Sequence, residues 1–246
     1  MKQLFGFAIE ARDGRIGKVE DFFFDDYVWR IRYLVARTGG WLLRNSVLIS
    51  PAALDLPRPE DRCFPVKLTQ EQVRNSPDVD ADKPVSRQME ESLQLHYGWP
   101  PYWAMEPFVM APAPELTEGN PAALAVTPSG DPHLRSVRET TGYQVHASDR
   151  ESHVGTVSDF ILDDDDWTVR YVVVEATAED GKRDFVLNPW WTLDIDWLRR
   201  TMHFDISTAE IQLSPGFDPS TSLNRDYEVR LHENYGRIAY WDRQKR

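Results

Sequence analysis

The chain has 246 residues, of which 41% are hydrophobic, and it contains nine Trp, nine Tyr and eleven Phe. This aromatic content excludes a disordered chain, and a formal net charge of −12 disfavours non-specific attraction to nucleic acid or anionic membranes. The single cysteine, Cys63, excludes an internal disulfide, and no apolar run approaches the roughly 20 residues that span a bilayer. We therefore expect a cytoplasmic globular protein without a transmembrane segment, for which peripheral membrane association stays open.

One stretch of the sequence recurs 138 positions later. Residues 17–35 read GKVEDFFFDDYVWRIRYLV, and residues 155–173 read GTVSDFILDDDDWTVRYVV. A duplication of this length predicts two copies of one folding unit. We predict repeat one over residues 4–103, a proline-rich connector over 104–139 and repeat two over 140–241.

The first part of each repeat has the pattern of antiparallel strands. An apolar segment precedes an acidic hairpin turn, and the next strand alternates aromatic or aliphatic with other residues, which predicts one buried face. A third strand follows a glycine. The predicted strands are 18–24, 29–35 and 42–49 in repeat one, and 156–162, 167–173 and 182–187 in repeat two.

The second part of each repeat has helix signals. Thr69 with Gln72, and Ser207 with Glu210, have the hydroxyl-x-x-Gln/Glu spacing of a capping box, which predicts a short helix after each. A second helix is predicted from Ser86 to Gly98 and from Asn224 to Gly236. Its apolar stripe, Met89, Leu93 and Tyr97 in repeat one, is predicted to be packing.

The repeated pattern Gly-x-Val-x-Asp-Phe-x-x-Asp-Asp-x-x-Trp-x-x-Arg-Tyr-x-Val resembles the PRC-barrel family, named for the cytoplasmic domain of the photosynthetic reaction centre H subunit. The resemblance covers Gly6 to Pro51 and Gly142 to Pro189. It implies a small antiparallel β-barrel in each repeat and a role in docking or assembly. We accordingly predict a mainly β protein with short helices: two tandem PRC-type barrels, each followed by a helical extension, in a pseudo-twofold arrangement.

Two pairs of charged residues are retained in both repeats. Asp21 with Arg32, and Asp159 with Arg170, are predicted to form structural ion pairs across a hairpin; a catalytic role is the alternative. The acidic run at 163–166 lacks the spacing of a calcium-binding EF-hand loop, and the six histidines lack a zinc-site spacing such as His-Glu-x-x-His. Nucleotide-binding and nucleophile motifs are also missing. We therefore predict no cofactor, no metal and no enzymatic activity.

Aromatic residues are the candidates for a partner surface, because Tyr and Trp are enriched at interaction hot spots. The alternative is that they seal the core of their own repeat. We also expect the aromatic tail of each repeat, residues 97–103 and 235–241, to pack across onto the other repeat. The tryptophan candidates are Trp41, Trp99, Trp103, Trp190, Trp191 and Trp241.

The sequence favours a non-enzymatic interaction module that docks on a protein partner of unknown identity. This partner could belong to a membrane or electron-transfer complex. The alternative is a small-molecule- or metal-binding enzyme that uses a cleft between the repeats. A third class, RNA binding, would need a basic stripe that the acidic composition disfavours. Whether the chain forms a homo-oligomer stays open.

Overall fold

The computed structural model describes residues 1–39, 45–77, 87–102, 134–149, 153–178, 181–221 and 223–243. Two of the candidate tryptophans, Trp41 and Trp103, and most of the predicted connector lie outside these residues. The described chain is mainly β, as predicted. None of its helices in these ranges is long and apolar enough to cross a membrane.

Twelve strands and six α-helices are described. The strands are β1 (Ala8–Ala11), β2 (Gly14–Asp25), β3 (Arg30–Thr38), β4 (Asn45–Ile49), β5 (Cys63–Pro65), β6 (Leu134–Ser136), β7 (Gln144–His146), β8 (His153–Asp163), β9 (Thr168–Ala178), β10 (Gly181–Leu187), β11 (Thr192–Asp196) and β12 (Thr201–Phe204). The α-helices are α1 (Gln70–Arg74), α2 (Arg87–Tyr97), α3 (Val137–Thr140), α4 (Thr208–Gln212), α5 (Arg225–Asn234) and α6 (Tyr240–Arg243). Short 3-10 turns lie at Lys2–Leu4, Pro51–Ala53 and Pro189–Trp191.

The chain divides into two compact units whose boundaries differ from those of the sequence repeats. The N-terminal unit comprises Leu4–Phe23 and Arg32–Leu134, and the C-terminal unit comprises Met1–Gln3, Phe24–Ile31 and Arg135–Arg246. The tip of the first hairpin thus belongs to the unit that contains repeat two. The repeat boundaries 4–103 and 140–241 stay a prediction from the sequence.

Backbone hydrogen bonds and aromatic packing explain why the hairpin tip belongs to the C-terminal unit. The amide of Ile31 donates to the carbonyl of Trp167 at 2.8 Å, and the amide of Val169 donates to the carbonyl of Trp29 at 2.7 Å. The two bonds are reciprocal, because 169 and 167 are the positions 138 residues after 31 and 29. Phe24 also packs on Phe160 with ring centroids 5.6 Å apart.

In the N-terminal unit, β1 pairs antiparallel with β2 and parallel with β5, β2 lies beside β3, and β3 pairs antiparallel with β4. The prediction that β3 buries one face is wrong, because Leu34 and Arg32 are buried as well as the predicted face of Tyr33 and Val35. Helix α2 contributes Leu93 to the cluster that contains Tyr33 and Val35, which confirms its stripe as packing.

In the C-terminal unit, the strand order is β11-β12-β7-β8-β9, and β10 also pairs with β9. The pairs are antiparallel except for β12 with β7, which run parallel. Strand β11 ends this order, so it is an edge strand. This order brings residues from β11, β12, β7 and β8 into one row.

Several local features predicted from the sequence are present in both units. Thr69 and Ser207 form complete capping boxes at α1 and α4. A Cβ atom added at Gly17 would overlap the Arg37 carbonyl oxygen, and one at Gly155 would lie 2.5 Å from the equivalent oxygen of Glu175. The repeated glycine of the sequence pattern is therefore required by the close approach of two strands.

Candidate functional site

Each repeat contains a buried glutamate that accepts hydrogen bonds from two tyrosine hydroxyls. In repeat one, Glu90 on α2 accepts from Tyr33 at 3.0 Å and from Tyr102 at 2.9 Å. In repeat two, Glu228 on α5 accepts from Tyr171 at 3.0 Å and from Tyr240 at 3.2 Å. We call these two groups the glutamate clusters. Each one joins a strand, a helix and the aromatic tail of the same repeat.

A structural role, the stabilisation of a buried carboxylate, is sufficient to explain the glutamate clusters. A buried carboxylate is costly unless donors surround it, and two hydroxyls of the same repeat serve as donors here. Glu228 also forms an ion pair with Arg225 at 3.0 Å. Burial, with Glu228 as a second cause, raises the pKa of Tyr171 far above its ordinary value, so this phenol stays a donor at neutral pH. Sequence reasoning missed both glutamates as cluster centres, because the tyrosines that meet them are up to 57 residues away.

The predicted ion pair Asp159–Arg170 does not form. Arg170 binds Asp163 at 2.8 Å and Asp166 at 2.7 Å, and Asp159 binds the Met1 ammonium group at 3.0 Å. The strand register is the reason, because Asp159 on β8 lies opposite Val173 on β9 rather than opposite the arginine. Arg170 thus binds the acidic run at the hairpin turn.

Asp21 and Arg32, the corresponding pair in repeat one, are both buried, at 6% and 5% exposure. Asp21 accepts from the amide of Phe22 at 2.7 Å, and Arg32 lies over the ring of Tyr102 at 3.8 Å. Their predicted ion pair stays a prediction. Arg170 lies over Tyr240 at 4.4 Å in the same way, so both arginines support the aromatic tail of their own repeat.

The expectation that each tail packs onto the other repeat is wrong for the described tail tyrosines. Tyr102 donates to Glu90, and Tyr240 donates to Glu228, within their own repeats. Each tyrosine follows its helix by only a few residues, which brings its hydroxyl within reach of the carboxylate on that helix. The part of repeat one that joins the C-terminal unit is the hairpin tip instead.

The described candidate tryptophans differ in exposure. Trp191 is 4% exposed and packs on Tyr235 with ring centroids 4.9 Å apart, so it is a core residue rather than a surface candidate. Trp241 is half-buried beneath Arg225 at 4.0 Å, and Trp99 is half-buried and stacks on Tyr97 at 4.1 Å. These contacts favour tail packing for the two half-buried tryptophans.

Trp190 is exposed, and a second large apolar side chain follows it on the edge strand β11. Trp190 is 49% exposed and Leu193 is 52% exposed. Repeat one has Ala52 and Asp55 at the equivalent positions. The side chain of Asn188 accepts from the amide of Trp190 at 3.0 Å and so fixes the turn from which the indole extends. We call Trp190 and Leu193 the Trp190 surface.

Three histidines and an aspartate form a row across four strands of the C-terminal unit. The strand register places His146 opposite both His153 and His203, and His203 opposite Asp194. The ring centroid of His146 lies 5.1 Å from that of His203 and 5.8 Å from that of His153. Nδ1 of His203 lies 2.6 Å from Oδ1 of Asp194. We call these four residues the histidine row.

Sequence reasoning missed the histidine row, because its members are up to 57 residues apart and three strand pairings bring them together. Burial, followed by the charges of His203 and His153, lowers the pKa of His146. Within the described ranges, no group of three or more His, Cys, Asp or Glu side chains is arranged to hold a metal ion. In the present ring orientations the three imidazoles therefore do not form a three-ligand metal site.

Comparison with known proteins adds no assignment. No protein-family model matches the chain, and a search of curated proteins finds no significant match.

Proposed function

We propose that the chain is a non-enzymatic protein-interaction module of the PRC-barrel type that docks on a protein partner through the Trp190 surface. Each repeat would form one small barrel with its helical extension. The support for this finer fold is the matched order of elements in the two repeats, each with a parallel strand pair, β1 with β5 or β7 with β12. The reciprocal bonds at Trp29 and Trp167 support a local twofold relation between the two hairpin tips.

The exposure of Trp190 is the observation that carries the docking proposal. A half-exposed indole leaves a large apolar area in water, and burying that area against a partner is favourable. Tryptophan is also enriched among the few residues that supply most of the binding energy at protein interfaces. The adjacent residue Trp191 is buried. Trp191 therefore packs in the core of repeat two, whereas the indole of Trp190 is exposed and can contact a partner protein.

Charge and strand position limit the kind of partner. The net charge of −12 favours a partner protein with a neutral or basic face over an anionic lipid surface or a nucleic acid. Leu193 lies on β11, the edge strand, whose backbone can pair with a strand of another protein. The partner can itself be part of a membrane or electron-transfer complex.

Affinity purification from the native host tests this proposal. The tagged full chain is recovered from soluble and membrane fractions as wild type, as Trp190→Ala with Leu193→Ser, and as Leu95→Ser. Leu95 is 88% exposed in the N-terminal unit, so the third variant removes a comparable apolar side chain elsewhere. We expect one defined protein complex with wild type and with Leu95→Ser, and its loss with the double variant.

Two results would contradict the docking proposal. One is equal recovery of the complex with all three proteins, which would place the contact elsewhere. The other is recovery of no protein above background, which would favour the alternative of a small-molecule- or metal-binding enzyme and direct the next experiment to ligand screening.

A further inference from the structure

The histidine row differs from an ordinary set of surface histidines in three respects. His146 lies between two other imidazoles that the strand register places directly opposite it. Its Nδ1 atom is shielded from solvent and has no hydrogen-bond partner in the described part of the chain. A shielded imidazole nitrogen without a partner is unfavourable, and a ligand would remove that cost.

Asp194 prepares His203 for a ligand. Its carboxylate lies 2.6 Å from Nδ1 of His203, which fixes the proton on Nδ1 and leaves Nε2 as the free lone pair. Histidines that bind metals commonly donate their other ring N–H group to a carboxylate, which orients the ring and increases its basicity. The Asp194–His203 pair has this arrangement.

The spacing of His146 and His203 suits a shared metal ion. Imidazole nitrogens bind Zn²⁺ at about 2.0–2.1 Å, so two imidazoles on one tetrahedral ion have ring centroids roughly 5 Å apart. The observed separation is 5.1 Å.

We propose that His146 and His203 chelate one divalent transition-metal ion of the Zn²⁺, Cu²⁺ or Ni²⁺ class, with Asp194 orienting His203. Imidazole ligands favour these ions over Mg²⁺ and Ca²⁺, which prefer oxygen. Water completes the coordination, and a change in the ring orientation of His153 would add a third imidazole. This site is independent of the docking proposal.

Repeat one supplies an internal contrast. Its equivalent row has Glu10 opposite both Arg15 and Pro65. Arginine and proline have no lone pair that can bind a metal ion, and Glu10 forms an ion pair with Arg58. The same strand pairing therefore carries two imidazoles beside His146 in repeat two and no imidazole in repeat one, so we expect one metal site in the chain.

Isothermal titration calorimetry of the purified full chain with ZnCl₂ at pH 7.5, with MgCl₂ as a second titrant, tests the proposal. The variants are His146→Gln, His203→Gln and Asp194→Asn. The matched control is His96→Gln, which removes an exposed histidine of the N-terminal unit. The thermal unfolding midpoint of each metal-free variant shows whether it is folded.

We expect wild type and His96→Gln to bind one Zn²⁺ and no Mg²⁺. His146→Gln and His203→Gln should each weaken Zn²⁺ affinity at least tenfold, since each removes one of two ligands. Asp194→Asn should weaken it about tenfold, at the low end of the range for groups that orient a metal ligand. Unchanged affinity in both histidine variants, an equal loss in His96→Gln, or no Zn²⁺ binding by wild type would overturn the proposal.

A measurement on the wild-type chain covers the case in which a variant fails to fold. Two-dimensional ¹H–¹⁵N spectra of the imidazole rings, recorded with and without one equivalent of Zn²⁺, report the state of every ring nitrogen. Large ¹⁵N shifts confined to the rings of the histidine row are expected. Shifts at His96 or His232 in place of His146 and His203 would refute the site.

Discussion

At equivalent positions, repeat one carries Ala52 and Asp55 where repeat two carries Trp190 and Leu193. Ala52 is an exposed small residue, and Asp55 forms an ion pair with Lys67 at 3.5 Å. The same part of repeat two exposes an indole and a leucine side chain. The two copies thus place different side chains on the same 3-10 turn and on the segment that follows it.

The interiors of the two repeats differ far less than these surfaces. Glu90 and Glu228 each accept from two tyrosines, and Trp29 and Trp167 both have a left-handed backbone, with φ of 55° and 60°. Such a φ is rare for a large residue, so its recurrence marks a turn that the fold needs. In this comparison the buried residues of the repeated sequence pattern have matching contacts and conformations, whereas the exposed residues at 52 and 190 and at 55 and 193 differ.

The largest expected difference in stability is between substitutions of two adjacent tryptophans. Trp191→Ala should destabilise the chain by about 3–5 kcal/mol, because it leaves a cavity beside Tyr235. Trp190→Ala should change stability by less than about 0.5 kcal/mol, as is usual for surface substitutions. Urea unfolding followed by tryptophan fluorescence and circular dichroism measures both. Similar losses for the two variants would show that Trp190 is part of the core.

Removal of the central glutamate should reduce stability by a similar amount in both glutamate clusters. Glu90→Ala and Glu228→Ala each leave two tyrosine hydroxyls without their carboxylate acceptor, so each should cost about 3 kcal/mol. Glu91, the exposed neighbour of Glu90, gives the control Glu91→Ala, with an expected change below about 0.5 kcal/mol. The midpoints of urea unfolding distinguish these cases. A cost at one glutamate and none at the other would show that the two clusters are not equivalent.

A smaller effect is expected at the repeated glycine. Gly17→Ala and Gly155→Ala should each cost about 1–3 kcal/mol, because the added methyl group meets a backbone carbonyl of the neighbouring strand. At Gly216 the nearest atom to an added Cβ is in the side chain of Arg183, at 3.6 Å, so Gly216→Ala is the control. Thermal unfolding measures all three. If the unfolding midpoints of Gly17→Ala and Gly155→Ala matched that of Gly216→Ala, the two strands could move apart to accept the added methyl group without loss of stability.

Much of the local structure could be predicted from the sequence because its causes are local. The capping boxes at Thr69 and Ser207 depend on residues three positions apart, and the stripe that contains Leu93 follows from the helical period. The resemblance of the two halves also predicted that matching residues would adopt matching conformations, as Trp29 and Trp167 do.

The rest depends on strand register and on contacts between distant segments. The register of β8 and β9 places Asp159 opposite Val173, away from Arg170, and this pair of strands also shifts register between Val157 and Asp159 and between Ile161 and Leu162, which no sequence period predicts. The histidine row depends on the parallel pairing of β12 with β7, which joins residues 57 positions apart. Adjacent tryptophans are also ambiguous, since the sequence does not show which of Trp190 and Trp191 faces the core.

Site-specific photo-crosslinking in the native host tests the divergence of the two surfaces most directly. A photoreactive phenylalanine analogue replaces Trp190 in one sample and Ala52, the equivalent exposed residue of repeat one, in the other. We predict that irradiation yields a defined cross-linked protein from position 190 and none from position 52. The same cross-linked products from both positions, or a product from position 52 alone, would contradict a docking surface specific to repeat two.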